Sequence, residues 1–66
     1  MKRLNLKIFR MKHGLTQAQM ADKLGITQSH YKSIELGTHD PSFKVMTQLA
    51  EQFEPDDIWE LLKKEG

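Results

Sequence analysis

Cysteine is absent from this chain of 66 residues, proline occurs only twice, and tryptophan and tyrosine occur once each. Without cysteine the chain can form neither a disulfide nor a cysteine-ligated metal site. A chain of this length has room for one domain, covering residues 1–66, whose core supplies no more than roughly 3 to 5 kcal/mol of stability. A small helical bundle that binds no cofactor is therefore expected.

Long apolar runs are also missing, since none approaches the roughly 18 residues of a membrane span. Lys7 and Arg10 interrupt the stretch that follows the initial Met-Lys-Arg, so a signal peptide is not expected. The sequence offers no nucleophile with a neighbouring base, no acidic pair in a plausible cleft and no glycine-rich phosphate loop. We expect a cytoplasmic protein that is not an enzyme and does not bind a membrane.

The charges are unevenly distributed although the net charge is only +1. Residues 1–33 contain seven basic residues and one acidic residue, a net charge of +6, whereas residues 34–66 contain three and eight, a net charge of −5. This asymmetry suggests an amino-terminal surface that attracts a polyanion. Uneven charge on a solvated surface is an equally simple interpretation of the composition.

Glycines at positions 14, 25 and 37 and prolines at positions 41 and 55 divide the chain into five segments, each with the pattern of one helix. The predicted helices cover residues 4–13, 16–24, 28–36, 41–53 and 55–64. Thr16 and Gln19 form a capping-box pattern, and Thr27 is a second N-cap. The fourth helix is expected to bury Met46, Leu49, Ala50 and Phe53. No strand is predicted, so the fold class is all-α.

The second and third predicted helices are separated by residues 25–27 alone. Two short helices joined by a three-residue turn with a glycine form a helix-turn-helix, whose second helix enters the major groove of DNA. At 100° per residue, one arc of the third helix is polar and free of acidic groups. This arc consists of Gln28, Ser29, Lys32 and Ser33. Glutamine pairs with adenine, lysine pairs with guanine and serine accepts either, so the arc is suited to reading base edges.

Five short motifs together resemble one known family. They are Leu15-Thr16-Gln17, Met20-Ala21, Leu24-Gly25-Ile26, Ile34-Glu35 with Gly37, and Pro41-Ser42. In this register they match Cro-like and phage-repressor DNA-binding domains of the XRE type over about residues 4–62. The resemblance implies a compact five-helix bundle of the lambda-repressor-like type. It also implies a transcriptional regulator, expected to be a repressor of phage, plasmid or mobile-element type, that occupies double-stranded operator DNA.

The resemblance assigns roles to the residues that match the family pattern. It implies that Gln17 contacts a phosphate and that Gln28, Ser29, Lys32 and Ser33 occupy the base-reading positions. Gln17 also lies at the amino end of a helix, where free N–H groups and the helix dipole favour a phosphate. Further candidate phosphate contacts are Thr16, Thr27, His30 and Thr38. At position 36 the family usually has a small polar or charged residue, so Leu36 argues against a phosphate contact there.

Arg10 and Glu35 match a family pair in which an arginine on the first helix forms a salt bridge with the glutamate that closes the third. Arg10 is predicted to lie beside Phe9 and Leu6 on the inward face, so its charge needs a partner. An exposed, phosphate-binding arginine is the competing interpretation. We favour the structural one, in which both residues fix the third helix.

Trp59 is not placed by the helical pattern, because Ile58, Leu61 and Leu62 already supply the inward face of the fifth helix. It belongs either to the edge of the core or to an interface. A homodimer on an inverted-repeat operator would use this apolar region. The candidate interface residues are Trp59, Phe53 and Phe43. The three histidines lack the spacing of metal ligands, so no metal site is expected.

A second function is also compatible with this fold. A helix-turn-helix can be retained as a protein-interaction module, such as an antitoxin half or an adaptor, that does not bind DNA on its own. Acidic or apolar residues at positions 28, 29 and 32 would favour that function. The sequence has glutamine, serine and lysine there, which favours DNA.

Overall fold

Five helices follow one another along the chain in the computed structural model, which describes residues 1–65. They are α1 (Leu4–Lys12), α2 (Gln17–Leu24), α3 (Gln28–Leu36), α4 (Phe43–Phe53) and α5 (Ile58–Leu61). Within these residues the backbone forms no strand, only an isolated antiparallel bridge between Lys2 and Glu65. The predicted all-α bundle of five helices is confirmed. None of the described helices has the length and apolar character needed to cross a membrane.

Hydroxyl side chains fix where the middle helices begin. Thr16 Oγ1 accepts a hydrogen bond from the Gln19 N–H at 3.1 Å, and Gln19 Oε1 accepts one from the Thr16 N–H at 2.9 Å. This is the predicted capping box. Thr27 and Ser42 cap α3 and α4 in the same way, each accepting from the N–H three residues later at 3.1 and 3.2 Å. Because Ser42 is the cap, α4 begins after it and not at Pro41.

Apolar side chains from all five helices form one core. Its fully buried members are Leu6, Met20, Ala21, Leu24, Tyr31, Ile34, Val45, Leu49 and Leu61. The predicted inward face of α4 is wrong by about one residue, because Val45 is buried whereas Ala50 is exposed. Val45, Leu49 and Phe53 lie at i, i+4 and i+8 and form the inward side. Met46 is only half-buried at its margin.

The fifth helix is shorter than the predicted 55–64, since it has four residues. Asp57 caps it by accepting hydrogen bonds from two backbone N–H groups at 3.1 and 3.2 Å, so the helix begins only after residue 57. Beyond the helix, the carbonyl oxygen of Leu62 accepts a hydrogen bond from Arg3 Nε at 2.9 Å. The last described residues therefore run beside the amino terminus instead of continuing the helix.

Gly37 ends α3 in the left-handed conformation, with φ +82°. A Cβ atom at this position would collide with the backbone carbonyl oxygen of Met1. The residue must therefore be glycine for two reasons, its backbone conformation and the close approach of the amino-terminal segment. The first residues of the chain are thereby held against the end of α3.

Candidate nucleic-acid interface

The outer side of α3 carries the four side chains predicted to read bases. They are Gln28, Ser29, Lys32 and Ser33, of which the first three are exposed and the last is half-buried. The Ser33 hydroxyl donates to the carbonyl oxygen of His30 at 2.6 Å, so it remains available mainly as an acceptor. Tyr31 and Ile34 are fully buried on the opposite side. The helix thus presents amide, hydroxyl and ammonium groups to solvent and no carboxylate.

Glu35 is buried, with 5% of its surface exposed, and connects α3 to α1 and α2. Its Oε2 accepts hydrogen bonds from Arg10 Nε at 2.7 Å and from the Tyr31 hydroxyl at 2.5 Å. Its Oε1 accepts from Gln17 Nε2 at 3.2 Å, and Arg10 also donates to the Leu15 carbonyl oxygen at 2.7 Å. The buried ion pair has the additional hydrogen bonds that such a pair requires. It therefore fixes the orientation of α3 against the two preceding helices.

The same contacts set the protonation states of these groups. Burial by itself raises the pKa of Glu35, but the hydrogen bonds from Arg10, Tyr31 and Gln17 outweigh it and hold the pKa below its ordinary value. Burial and the adjacent carboxylate raise the pKa of Tyr31 far above its ordinary value. The hydrogen bond to Glu35 raises the pKa of Arg10. At neutral pH the network thus consists of a carboxylate, a guanidinium and a neutral phenol.

The competing interpretation of Arg10 as an exposed phosphate contact is wrong, because only 8% of its surface is exposed. Gln17 lies at the first position of α2 and is half-buried. One N–H of its side-chain amide is used by Glu35, and the amide has a second N–H. The predicted phosphate contact is therefore bonded directly to the ion pair that orients α3.

A recess of about 110 Å³ adjoins Gln17 and brings in two residues that the sequence analysis did not select. Lys2 and Lys7 line it together with Gln17 and Leu36, and both lysines are exposed. They come from the amino-terminal segment and α1, so only the packing of α1 on α3 brings them beside the start of α2. Spacing along the sequence contains no signal for this arrangement.

Two of the other candidate phosphate contacts, Thr27 and His30, line a second recess beside α3. This recess of about 370 Å³ is lined by Thr27, Ser29, His30, Ser33 and His39. His30 is exposed, and its ring centroid lies 6.2 Å from that of His39. Thr38 Oγ1 donates to the Ser33 carbonyl oxygen at 3.1 Å. Among residues 1–65 no three His, Cys, Asp or Glu side chains are grouped so that they could hold a metal ion.

Arg3 is one of the seven basic residues of residues 1–33 from which a positive surface is expected, but only 4% of its surface is exposed. Its Nη1 donates to the carbonyl oxygens of Ile34 at 2.7 Å and His39 at 2.9 Å. Its Nε donates to the Leu62 carbonyl oxygen at 2.9 Å, and its Nη2 donates to Asp40 Oδ1 at 2.8 Å. Arg3 precedes the first helix, so no helical periodicity marked it as buried.

The burial of both arginines changes the charge distribution expected for residues 1–33. The exposed basic side chains there are all lysines, namely Lys2, Lys7, Lys12, Lys23 and Lys32. A lysine carries a mobile point charge, whereas an arginine carries a fixed fork of donors. The positive surface is therefore better suited to general attraction of phosphates than to bidentate contacts.

The three aromatic residues proposed for an interface do not behave alike. Trp59 and Phe43 are 72% and 82% exposed, which places Trp59 outside the core. Phe53 is half-buried, and its ring centroid lies 5.8 Å from Phe9 and 5.2 Å from His13 in edge-on arrangements. Phe53 thus lies one turn beyond Leu49 on the inward side of α4, and its assignment to an interface stays a prediction.

Comparison with known proteins agrees with this geometry. A family described as helix-turn-helix matches residues 6–54, which include all of α2 and α3. YqaE of Bacillus subtilis, an uncharacterized HTH-type transcriptional regulator, is 46% identical over 46 residues, which make up 70% of this chain and 40% of the relative. MJ0272 of Methanocaldococcus jannaschii, named in the same way, is 42% identical over 48 residues, or 73% of each chain.

A third relative, YonR of Bacillus subtilis, is named as an SPbeta prophage-derived HTH-type transcriptional regulator and is 42% identical over 45 residues. The match covers 68% of this chain and 42% of YonR. The chain thus spans less than half the length of the two Bacillus relatives. No solved structure matches it.

Proposed function

Because the chain belongs to the helix-turn-helix family, we propose that it is a sequence-specific DNA-binding transcriptional regulator that occupies an operator through α3. The observation that carries this proposal is the exposed, acid-free polar side of α3 on a helix held rigidly by the buried Glu35 network. A rigid helix with outward amide and ammonium groups is what reading of base edges requires.

The base-reading residues of the proposal are Gln28, Ser29, Lys32 and Ser33. Gln28 lies at the first position of α3 and can bond adenine through both groups of its amide. Lys32, one turn later, can bond guanine O6 and N7. Ser29 accepts or donates with little preference, whereas Ser33, whose hydroxyl donates to the His30 carbonyl oxygen, mainly accepts. One helix of this kind reads too few base pairs to define a unique site, so a second copy is required.

The phosphate contacts of the proposal lie on both flanks of α3. Gln17 with Lys2 and Lys7 serves one flank. His30 serves the other together with Thr38, whose hydroxyl exchanges its hydrogen bond to the Ser33 carbonyl oxygen for one to the phosphate. Thr16 and Thr27 act as caps, since each hydroxyl oxygen accepts a backbone N–H, and each hydroxyl keeps its hydrogen to donate to a phosphate. Their caps orient the amino ends of α2 and α3, where the remaining N–H groups favour a phosphate.

A homodimer formed through the exposed Trp59 and Phe43 would place two copies of α3 on half-sites about one helical turn, roughly 34 Å, apart. The operator is then an inverted repeat, and the proposed regulator is a repressor of phage, plasmid or mobile-element type that works by occupancy in the cytoplasm. The protein-interaction module considered above is not favoured, because positions 28, 29 and 32 are exposed and neither acidic nor apolar.

The test is selection of binding sites from random duplex DNA with the purified protein. We expect enrichment of an inverted repeat, bound with an affinity that falls with salt at a log–log slope near −3.6 if about four phosphates per subunit are neutralised. Lys32→Ala should weaken binding to the selected site, whereas the matched control Lys44→Ala, an exposed lysine on α4, should not. Failure to enrich any sequence would leave the protein-interaction module as the better proposal.

A further inference from the structure

One guanidinium joins the reading helix to the carboxy-terminal region. Arg3 donates to the carbonyl oxygen of Ile34 in α3, to His39 and Asp40 in the loop that leaves α3, and to Leu62 just after α5, at 2.7 to 2.9 Å. Four hydrogen bonds from one buried side chain therefore connect three separate parts of the chain.

A second side-chain hydrogen bond between the end of α3 and the residues after α5 is longer, since Lys64 Nζ donates to the Gly37 carbonyl oxygen at 3.5 Å. The fifth helix packs mainly on α1, whereas α3 packs mainly on α2 and α1. The backbone N–H of Arg3 donates to the Glu35 carbonyl oxygen at 2.8 Å, which holds the guanidinium at the end of α3. The relative placement of α3 and α5 thus depends on the segment that carries Arg3.

The end of α5 that Arg3 holds adjoins the exposed Trp59. Arg3, Asp40, Met46, Trp59 and Leu62 line one recess of about 640 Å³. In a dimer formed through Trp59, the orientation of α5 in each subunit would determine how far apart the two reading helices lie. The residue that fixes α5 relative to α3 then also fixes that separation.

We propose that Arg3 is a positioning residue that sets the distance and angle between the two reading helices of the DNA-bound dimer, and so determines which spacing of half-sites it accepts. This inference rests on the dimer in the proposed function. Adding one base pair between half-sites moves them apart by roughly 3.4 Å and turns one relative to the other by roughly 35°. A dimer with rigidly placed helices cannot follow that change, whereas one with a loosened α5 can.

An arginine is required at this position because its acceptors lie in different directions. The guanidinium is a planar fork with five donors, whereas lysine has one nitrogen with three donors on a flexible stem. Arg3→Lys keeps the charge and loses the simultaneous contact with α3, the exit loop and the end of α5. Lys64 provides the matched control, since its Nζ makes only long contacts, at 3.5 Å, with the same Asp40 carboxylate and with the Gly37 carbonyl oxygen, and its side chain is 43% exposed.

The experiment compares three proteins: the wild type, Arg3→Lys and Lys64→Ala. Binding of each is measured to the selected inverted repeat, to versions of it with one or two base pairs added or removed between half-sites, and to a single half-site. Affinities are corrected for the folded fraction found by circular dichroism. We expect Arg3→Lys to bind the half-site within about twofold of the wild type. Its preference for the selected spacing should fall about tenfold, whereas Lys64→Ala should keep that preference.

Equal weakening of Arg3→Lys at every spacing would overturn the inference and leave Arg3 a purely structural residue. Unchanged spacing preference in a folded Arg3→Lys would also overturn it. If Arg3→Lys does not fold, Asp40→Ala, which removes one of the four acceptors, must relax the spacing preference in the same direction. A wild type that binds its site without any spacing preference overturns this inference alone, whereas a wild type that selects no site overturns the proposed function.

Discussion

Helix α3, which is proposed to read DNA, and helix α5 are held in the molecule by different kinds of contact. On α3, a buried carboxylate receives three side-chain hydrogen bonds, and Tyr31 and Ile34 are fully buried. On α5 only Leu61 is buried, the helix has four residues, and Trp59 is 72% exposed. The difference indicates that the part proposed to read DNA is rigid within one subunit, whereas the part proposed to pair subunits is held by its packing on α1 and by the hydrogen bonds of Arg3.

The largest expected effect follows from breaking the network that distinguishes α3. Glu35→Ala and Arg10→Ala each leave a buried charge without its partner, which costs roughly 3 to 5 kcal/mol and rivals the stability of a domain this small. Thermal unfolding followed by circular dichroism should show little or no folded protein for either variant. Lys63→Ala is the control, since its 3.7 Å ion pair with Glu65 is exposed and contributes at most about 1 kcal/mol.

An Arg10→Ala variant with wild-type stability that binds DNA more weakly at every sequence would contradict this account. It would mean that the guanidinium leaves Glu35 and acts on phosphates. Tyr31→Phe should cause a smaller loss of thermal stability in the same measurement, because it removes one hydrogen bond to Glu35 and keeps the packed ring.

The second effect concerns the amino-terminal segment that carries Arg3. Gly37 and Gly14 both have positive φ, +82° and +69°, but a Cβ at Gly14 meets no atom within 4 Å. Alanine at either position carries the cost of a left-handed residue, roughly 1 to 3 kcal/mol. Gly37→Ala must in addition displace Met1, so chemical denaturation should show a larger loss of stability than for Gly14→Ala. Equal losses would mean that the segment detaches from α3 without cost.

The pH dependence of stability tests the contributions of Glu35 at acidic pH and of Tyr31 at alkaline pH. The folded-state pKa of Glu35 is lowered, so its contribution is present above the ordinary glutamate pKa and is lost as the pH falls through the folded value. The folded-state pKa of Tyr31 is raised, so its contribution is complete below the ordinary tyrosine pKa and is lost as the pH rises above it. Thermal midpoints of the wild type should fall in both windows, and Glu35→Gln should flatten the acidic limb. If the acidic limb is unchanged in Glu35→Gln, the loss of stability at low pH is due to other carboxylates.

The helix-turn-helix could be predicted from the sequence because its determinants are local. Thr16, Thr27 and the glycines that follow α2 and α3 specify helix ends within a few residues, and the polar side of α3 follows from its periodicity. The role of Arg3 could not be predicted, because all of its acceptors are at least 31 positions away along the chain. The predicted α5 is too long for two reasons: the local Asp57 cap delays its start, and the residues after Leu61 contact the distant amino-terminal segment.

Smaller effects are expected for alanine substitutions of the exposed Trp59 and the packed Phe53, and the two substitutions should differ in kind. Trp59→Ala should leave thermal stability within about 0.5 kcal/mol of the wild type, because the ring is exposed. It should nevertheless raise the protein concentration needed for half-occupancy and make the binding curve less steep, with the half-site sequence unchanged. Phe53→Ala should lower the thermal midpoint, since its ring packs on Phe9 and His13. Unchanged DNA occupancy in Trp59→Ala would remove the proposed dimer surface.

The central claim, that α3 reads base edges, is tested most directly by replacing each base pair of the selected half-site in turn and measuring binding of the wild type and Gln28→Ala. The wild type should lose roughly 1 to 3 kcal/mol at each base pair that is read. Gln28→Ala should fold normally, lose its discrimination at one base pair and keep the wild-type pattern at the others. A uniform weakening across all positions, with the discrimination pattern intact, would contradict the claim and make Gln28 a phosphate contact.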